Sequence, residues 1–178
     1  FIPVVMGLFG IGEILMTIET PFKEVIKTKF SHLLPNREEW RRSVGAIARG
    51  TGIGFFLGLI PGVGSIIPTF MSYIVEKKIS KTPEKFGTGL IEGVAGPETA
   101  NNAYANAAMV PLLTLGIPSS PTIAVLMGAF IVNGLTPGPF LFTERPDLVW
   151  AVIASLFIGN VMLLILNLPL VGLWAKIL

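Results

Sequence analysis

Three long stretches of the chain, residues 50–75, 99–143 and 148–175, contain no Asp, Glu, Lys or Arg. Uncharged apolar runs of about 18 residues or more predict membrane helices. Helices buried in a large soluble protein would carry polar faces opposite their apolar ones, and these runs carry none. Leu148–Leu168 is the cleanest predicted span, ending near Pro169, with Trp174 and Lys176 as interface anchors. Residues 1–18 predict a further helix, weakened by Pro3 and three glycines and holding Glu13. Between these runs lie a basic loop over 20–49, part of which reads as an amphipathic surface helix near Glu38–Ala48, and a second basic loop with Lys77, Lys78, Lys81 and Lys85.

The expected fold is an all-α integral membrane protein, a polytopic helical bundle with Pro/Gly-broken helices or re-entrant hairpins. The whole chain, 1–178, reads as a single transmembrane domain: helix 1–18, basic loop 20–49, broken helix or hairpin 50–75, broken helices 99–133 and helix 148–169. The first residue is Phe1 and no signal peptide precedes it, so the expectation is an internal piece of a larger protein. Composition agrees with a bilayer as solvent. Charged residues make up 13% and the mean hydropathy is +0.73, against about 25% charged residues in a soluble domain. The net charge is +2 and the basic runs lack interleaved aromatics, which removes nucleic acid as a partner. The absence of cysteine excludes disulfides and thiolate metal sites.

Charge placement bears on topology. Eleven of the 13 Lys and Arg residues flank the run 50–75, and basic loops favour the cytoplasm. A 26-residue run with both ends on one side is too short to cross twice, because one crossing takes about 20 residues. A re-entrant hairpin turning at Ile60-Pro61-Gly62 fits, and one tilted, kinked crossing is the alternative. Gly50, Gly54, Gly58 and Gly62 recur every four residues on one helical face, either as a plain packing seam or as the close approach around a cavity.

A second break repeats the grammar of the first. A hydrophobic helix stops at Gly116-Ile117-Pro118, and another starts at Ser119 or Ser120, with Pro121 suited to its first turn. Gly64-Ser65 likewise precedes a helix through Tyr73. Paired Gly/Pro interruptions of apolar segments are the sequence pointer to a transporter's substrate site. The chemistry lies in the freed backbone. A helix N-terminus exposes unpaired N–H groups and carries roughly half a positive charge, so it can hold a carboxylate without a buried cation. The candidate substrate-binding residues are therefore Pro61, Gly62, Gly64, Ser65, Gly116, Pro118, Ser119, Ser120 and Thr122.

Between the breaks, Glu98, Asn102 and Asn106 fall at helical spacing on one face, with Asn101 beside them. Glu98, Asn101 and Asn102 are the candidate ion-coupling residues, for Na⁺ through oxygen ligands or for a proton. The alternative is that Glu98 and Thr99 cap a helix and that the asparagines, Asn106 above all, are interhelical glue. Glu92 and Glu13 are weaker candidates. Gly134–Pro139 reads as a simple turn, and His32 as an exposed loop residue. No H-E-x-x-H, nucleophile elbow or Walker loop is present, so the chain is not expected to be an enzyme. No cofactor is expected beyond a coupling ion.

The stretches "GLIPGVGSIIPTFMSY", "KFGTGLIEGVAGPETANNA", "PLLTLGIPSSPTIAVLMGAF" and "GLTPGP" resemble, in order, the second-half motifs of the large membrane subunit of tripartite tricarboxylate transporters, the TctA family. The resemblance runs from about Arg42 to Phe142. It implies a multi-pass protein of the bacterial inner membrane that takes up citrate-like or other carboxylates by secondary transport. It also implies two partners, a small membrane subunit and a periplasmic solute-binding protein. Two positions depart from the family pattern: Ser119 where Gly is expected, and Gly96 where Ala is usual. The rival readings are a non-transporting membrane scaffold and an ion channel.

Overall fold

The computed structural model describes residues 4, 6–11, 15 and 34–174. The chain divides into two compact units, Leu34–Leu166 and a second made of Phe1–Leu33 with Asn167–Leu178. In the second unit the described residues include a π-helical stretch, Met6–Ile11. Apart from Val4 and Leu15, the remainder of the helix expected over 1–18 lies outside the described residues, as do His32 and Lys176.

The larger unit is helical throughout its regular structure. Its elements are α1 (Arg37–Gly58), α2 (Ile66–Ile79), a 3₁₀ turn (Pro83–Lys85), α3 (Glu92–Ala107), α4 (Met109–Leu115), α5 (Pro121–Val132), α6 (Leu141–Glu144) and the greater part of α7 (Pro146–Trp174), whose residues from Asn167 on belong to the second unit. Helix α1 begins inside the segment expected to be a basic loop. The cause is a capping box at Asn36: its Oδ1 accepts from the Glu38 and Glu39 amides, and the Glu39 carboxylate accepts from the Asn36 amide at 2.7 Å. Two acids in the first turn also complement the helix dipole. At the other end of the hairpin, Lys77 and Lys78 form the last turn of α2 rather than a loop, where cations face the helix's free carbonyls.

Helices α1, α2 and α3 pack on one another. The α1–α3 contact is a glycine seam: Gly50, Gly54 and Gly58 are buried against the α3 backbone. A Cβ on Gly50 would strike the Gly96 carbonyl oxygen, and one on Gly58 would lie 2.6 Å from the Ala107 methyl. The fourth glycine of the repeat, Gly62, has left the seam and sits exposed in the turn. On its other side, α3 meets α2. There Gly96 leaves room for the Glu76 side chain and the Ser72 hydroxyl, and the Tyr73 and Phe86 rings meet edge to face at 5.4 Å.

Arg49 and Glu76 join α1 to α2. Nε and Nη2 of Arg49 donate to the two Glu76 carboxylate oxygens at 2.8 and 2.7 Å, and the Glu76 side chain is 2% exposed. Arg49 precedes the end of α1 by nine residues and Glu76 follows the start of α2 by ten. The two helices therefore fold back on one another as a hairpin. At 1.5 Å per residue, its turn lies about 15 Å from the ion pair.

A second core gathers around α4, whose Met109, Leu112 and Leu113 pack with Tyr104, Ile123, Leu141 and Val149. Helix α7 is the one helix among the described residues long and apolar enough to cross a bilayer by itself. Within Pro146–Val171, an 18-residue window has a mean hydropathy of 2.4, and only 6% of that window is buried. Such outward-facing apolar surface suits lipid rather than water. Contrary to expectation, Pro169 does not end this helix, which continues to Trp174. Proline removes one hydrogen bond from an otherwise intact ladder, and apolar helices of this kind tolerate it.

Candidate functional site

The turn between α1 and α2 is built on two left-handed glycines, Gly62 (φ 83°) and Gly64 (φ 74°). They reverse the chain and set Ser65 at the head of α2. Ser65 does not cap that helix with its side chain; its carbonyl accepts from the Thr69 hydroxyl at 2.8 Å. The second break has a different local logic. Gly116 closes α4 in the left-handed conformation (φ 69°), where a Cβ would lie 2.6 Å from the Pro137 carbonyl oxygen. The Gly134–Pro139 turn thus braces the break from behind. Ser120 then starts α5: its backbone is extended, its Oγ accepts from the Ile123 amide at 3.3 Å, and Pro121 occupies the first turn.

The two breaks face a common cleft of about 580 Å³. Val63, Gly64, Ser65, Ile66 and Ile67 form one wall, and Ser120, Pro121, Thr122 and Ile123 another. Helix α3 supplies the floor with Asn101, Tyr104 and Ala105, spaced so that they share one helical face, and Ala108 just past its end completes it. Among the described residues, no Asp, Glu, Lys or Arg lines it. Its polar side chains are Ser65, Asn101, Tyr104, Ser120 and Thr122, set on apolar walls. The N-terminal ends of α2 and α5 both open onto it, which suits a negatively charged group.

Of the residues singled out in the sequence, the cleft brings together Gly64, Ser65, Asn101, Ser120 and Thr122. Pro61 and Gly62 stay at the exposed tip of the hairpin. Gly116, Pro118 and Ser119 belong to the second break but do not line the cleft. Ser119 is 1% exposed, and its Oγ has no partner among the described residues. Glu98 and Asn102 flank Asn101 on α3 but do not line the cleft, and both are exposed. The Asn102 amide donates to the Glu98 carbonyl at 2.9 Å, and the Asn106 amide to the Asn102 carbonyl at 2.8 Å. The capping alternative for Glu98 and Thr99 does not hold. Helix α3 starts at Glu92, and the Thr99 hydroxyl donates to the Ala95 carbonyl inside it.

Sequence reasoning passed over Tyr104. It is 2% exposed, and its hydroxyl donates to the Ser119 carbonyl at 2.9 Å. Its spacing of three from Asn101, inside an uncharged run, was the available signal. A second cavity of about 390 Å³ lies where α3 and α4 face α7. It is mainly apolar, and its Asn106 and Asn160 side chains donate to carbonyls of their own helices. Glu92, at the outer end of α3, takes two hydrogen bonds from Arg42 at 2.7 and 2.8 Å. These hold its carboxyl below the usual carboxylate range, against the opposing effect of burial. Among the described residues no three His, Asp or Glu side chains gather to hold a metal ion.

A model of the tripartite tricarboxylate transporter TctA family matches residues 1–178, beyond the Arg42–Phe142 stretch that carries the motifs. The chain is 49% identical over 179 residues to an uncharacterized 52.8 kDa protein in the TAR-I ttuC' 3' region of Agrobacterium vitis. That alignment takes in 100% of this chain and 36% of the relative. It is 58% identical over 125 residues to an uncharacterized protein in the TAR-II ttuC' 3' region of the same organism, covering 70% of this chain and 52% of that relative. The chain thus spans between a third and about half the length of the curated relatives it matches. No solved structure matches it. With two broken helices meeting over an uncharged cleft and a family match along its full length, this chain belongs to the tripartite tricarboxylate transporter TctA family.

Proposed function

We propose that the chain is part of the large membrane subunit of a secondary transporter that takes up tricarboxylates or related carboxylates. The observation that carries this reading is the cleft, which both breaks line and which no charged side chain among the described residues enters. The N–H groups at the heads of α2 and α5 meet the carboxylate, with Ser65, Ser120 and Thr122 supplying hydroxyl donors and Asn101 an amide. Fixed dipoles at membrane depth act in a poorly screened medium, so they hold an anion without the cost of a buried Lys or Arg. The gain is reversible binding, which a carrier needs.

The α1–α2 hairpin enters the bilayer and returns to the same side. What supports this is the Arg49–Glu76 pair at its mouth, with the turn about 15 Å away, half the thickness of a hydrocarbon core of about 30 Å. The protein is multi-pass in the bacterial inner membrane. It works with a small membrane subunit and a periplasmic solute-binding protein that delivers the solute. Glu98, Asn101 and Asn102 serve the coupling ion, Na⁺ or H⁺, from the α3 face that adjoins the cleft.

The test is uptake by the complete transporter reconstituted in vesicles. Ser120→Phe, and separately Ser65→Leu, should abolish carboxylate uptake while membrane insertion stays at the wild-type level. Unchanged uptake in both variants would reject the cleft as the solute site. Imposing a Na⁺ gradient or a pH gradient alone identifies the driving ion.

A further inference from the structure

We propose that the α1–α2 hairpin holds an anionic phospholipid, its phosphate on Arg49 and Lys78 and one acyl chain in an apolar trough between the two helices; this rests on the reading above that the hairpin enters the bilayer from its basic, cytoplasmic side. The trough has a volume of about 540 Å³ and shares no lining residue with the carboxylate cleft. Its walls include Gly52, Ile53 and Phe56 of α1 and Met71 and Val75 of α2, with Arg49 at one end. Gly52 has nothing within 4 Å of the point where a Cβ would stand, which keeps the trough open. Phe56 is 69% and Met71 44% exposed, so apolar side chains face outward along it.

The charged end is arranged for a phosphate. Glu76 takes hydrogen bonds from Nε and Nη2 of Arg49, and Nη1 makes none among the described residues. Nη1 lies over Gly45, one turn nearer the mouth of the hairpin, 3.2 Å from where a Cβ on that glycine would stand. The guanidinium is thus fixed by one edge and offers the other toward the headgroup layer. Lys78 follows Val75 by three residues and Met71 by seven, so it stands on the same face of α2, a turn closer to the mouth. It is exposed and has no ion-pair partner among the described residues. Since Arg49 already matches Glu76, the Lys78 charge is a surplus at this end. Below these cations, apolar lining runs about 10 Å along α1 from Arg49 to Phe56. Cations at headgroup level above a hydrocarbon-lined trough complement an amphiphile of negative charge, and the cytoplasmic leaflet supplies such lipids. A protein helix is a poorer match. It would find no hydrogen-bonding side chain in the trough below Arg49, and it would have to bring its own acids to the mouth.

The experiment uses the complete transporter in vesicles of equal parts phosphatidylglycerol and phosphatidylcholine. Phe56→p-benzoylphenylalanine places a photoreactive ring in the trough, and its adducts are identified by mass. Phosphatidylglycerol adducts should exceed phosphatidylcholine adducts about five-fold, and Lys78→Gln in the same background should remove most of that preference, the worth of one cation beside an anionic headgroup. Gly52→Leu, which fills the trough, should lower both lipid adducts about ten-fold at wild-type insertion, as expected when an acyl chain loses its apolar contact. If Gly52→Leu fails to insert, Val75→Phe fills the trough from the other arm and is judged in the same way. Excess inorganic phosphate should leave the adducts unchanged; displacement by it makes this a site for a free anion and overturns the proposal. Equal adducts with the two lipids, a preference that survives Lys78→Gln, or adducts mainly with another segment of the transporter also overturn it. Failure of the lipid site is separable from failure of the hairpin reading. Lipid adducts without preference lose the site alone, whereas a ring that reaches neither lipid nor protein stands in water and takes the re-entrant hairpin with it.

Discussion

Replacing Gly54 by Ala adds one methyl group at the tightest point of the α1–α3 seam. Its Cβ would meet the Ala100 carbonyl oxygen and lie 2.9 Å from both the carbonyl carbon and Cα of Ala100. All three are backbone atoms of a helix, so nothing local can swing aside and the two helices must separate. Overpacking of this kind costs about 1–3 kcal/mol. Alanine's better helix propensity offsets up to about 1 kcal/mol of that, leaving a net loss of about 1–2 kcal/mol. Gly52, two residues earlier on the same helix, has nothing within 4 Å of the point where an added methyl would stand. Gly52→Ala therefore keeps only the propensity gain, about 0.5–1 kcal/mol. For a chain of this size 1 kcal/mol moves the midpoint by about 2–4 °C. The two variants should bracket wild type and differ by about 6 °C in thermal unfolding of the detergent-solubilised protein, followed by far-ultraviolet circular dichroism. Equal shifts, or a higher midpoint for Gly54→Ala, would refute the seam as described.

Three further outcomes follow from the charged end of the molecule. Arg49→Met leaves Glu76, 2% exposed, as a buried carboxylate without its partner, and should cost about 3–5 kcal/mol; Glu76→Gln should cost less, because the Arg49 side chain is 43% exposed and still reaches solvent. Equal losses in denaturant unfolding would remove the asymmetry. The Glu92 carboxyl is depressed by the hydrogen bonds from Arg42, so its contribution is present above the ordinary carboxylate value of 4.5 and is lost as pH falls through the lower folded one. The stability gap between wild type and Arg42→Gln should thus be steady from neutral pH down to about 5 and close on further acidification; a gap that widens in acid contradicts the pairing. Asn36→Ala removes the capping box and should cost about 1 kcal/mol, read as a lower denaturant midpoint and faster amide exchange in the first turn of α1.

The interruptions of the apolar runs were legible because proline and glycine leave few backbone choices: Pro61-Gly62 and Gly116-Ile117-Pro118 stand outside helices in the structure as in the sequence. The beginning of α3 was not legible. Glu92-Gly93-Val94-Ala95-Gly96-Pro97 is poor in helix formers, and propensity alone reads it as loop. Packing overrides that preference, since the small residues are what allow α1 and α2 to approach α3 from two sides. The Arg49–Glu76 pair was hidden for a related reason. Charges 27 positions apart look like loop charges until the hairpin brings them together. Within the cleft, residue types that suit an anion could be picked out one by one, whereas Tyr104 acquires its place only from the way α3 underlies both breaks.

Every described residue lining the cleft falls between Val63 and Ile123, and α7 does not begin until Pro146. During synthesis, this wall of the cavity is therefore present in the nascent chain before α7 has left the ribosome. The cell's insertion machinery can receive the hairpin, the floor and the second interruption as one contiguous parcel, and a truncation just after the Gly134–Pro139 turn would still carry all of them.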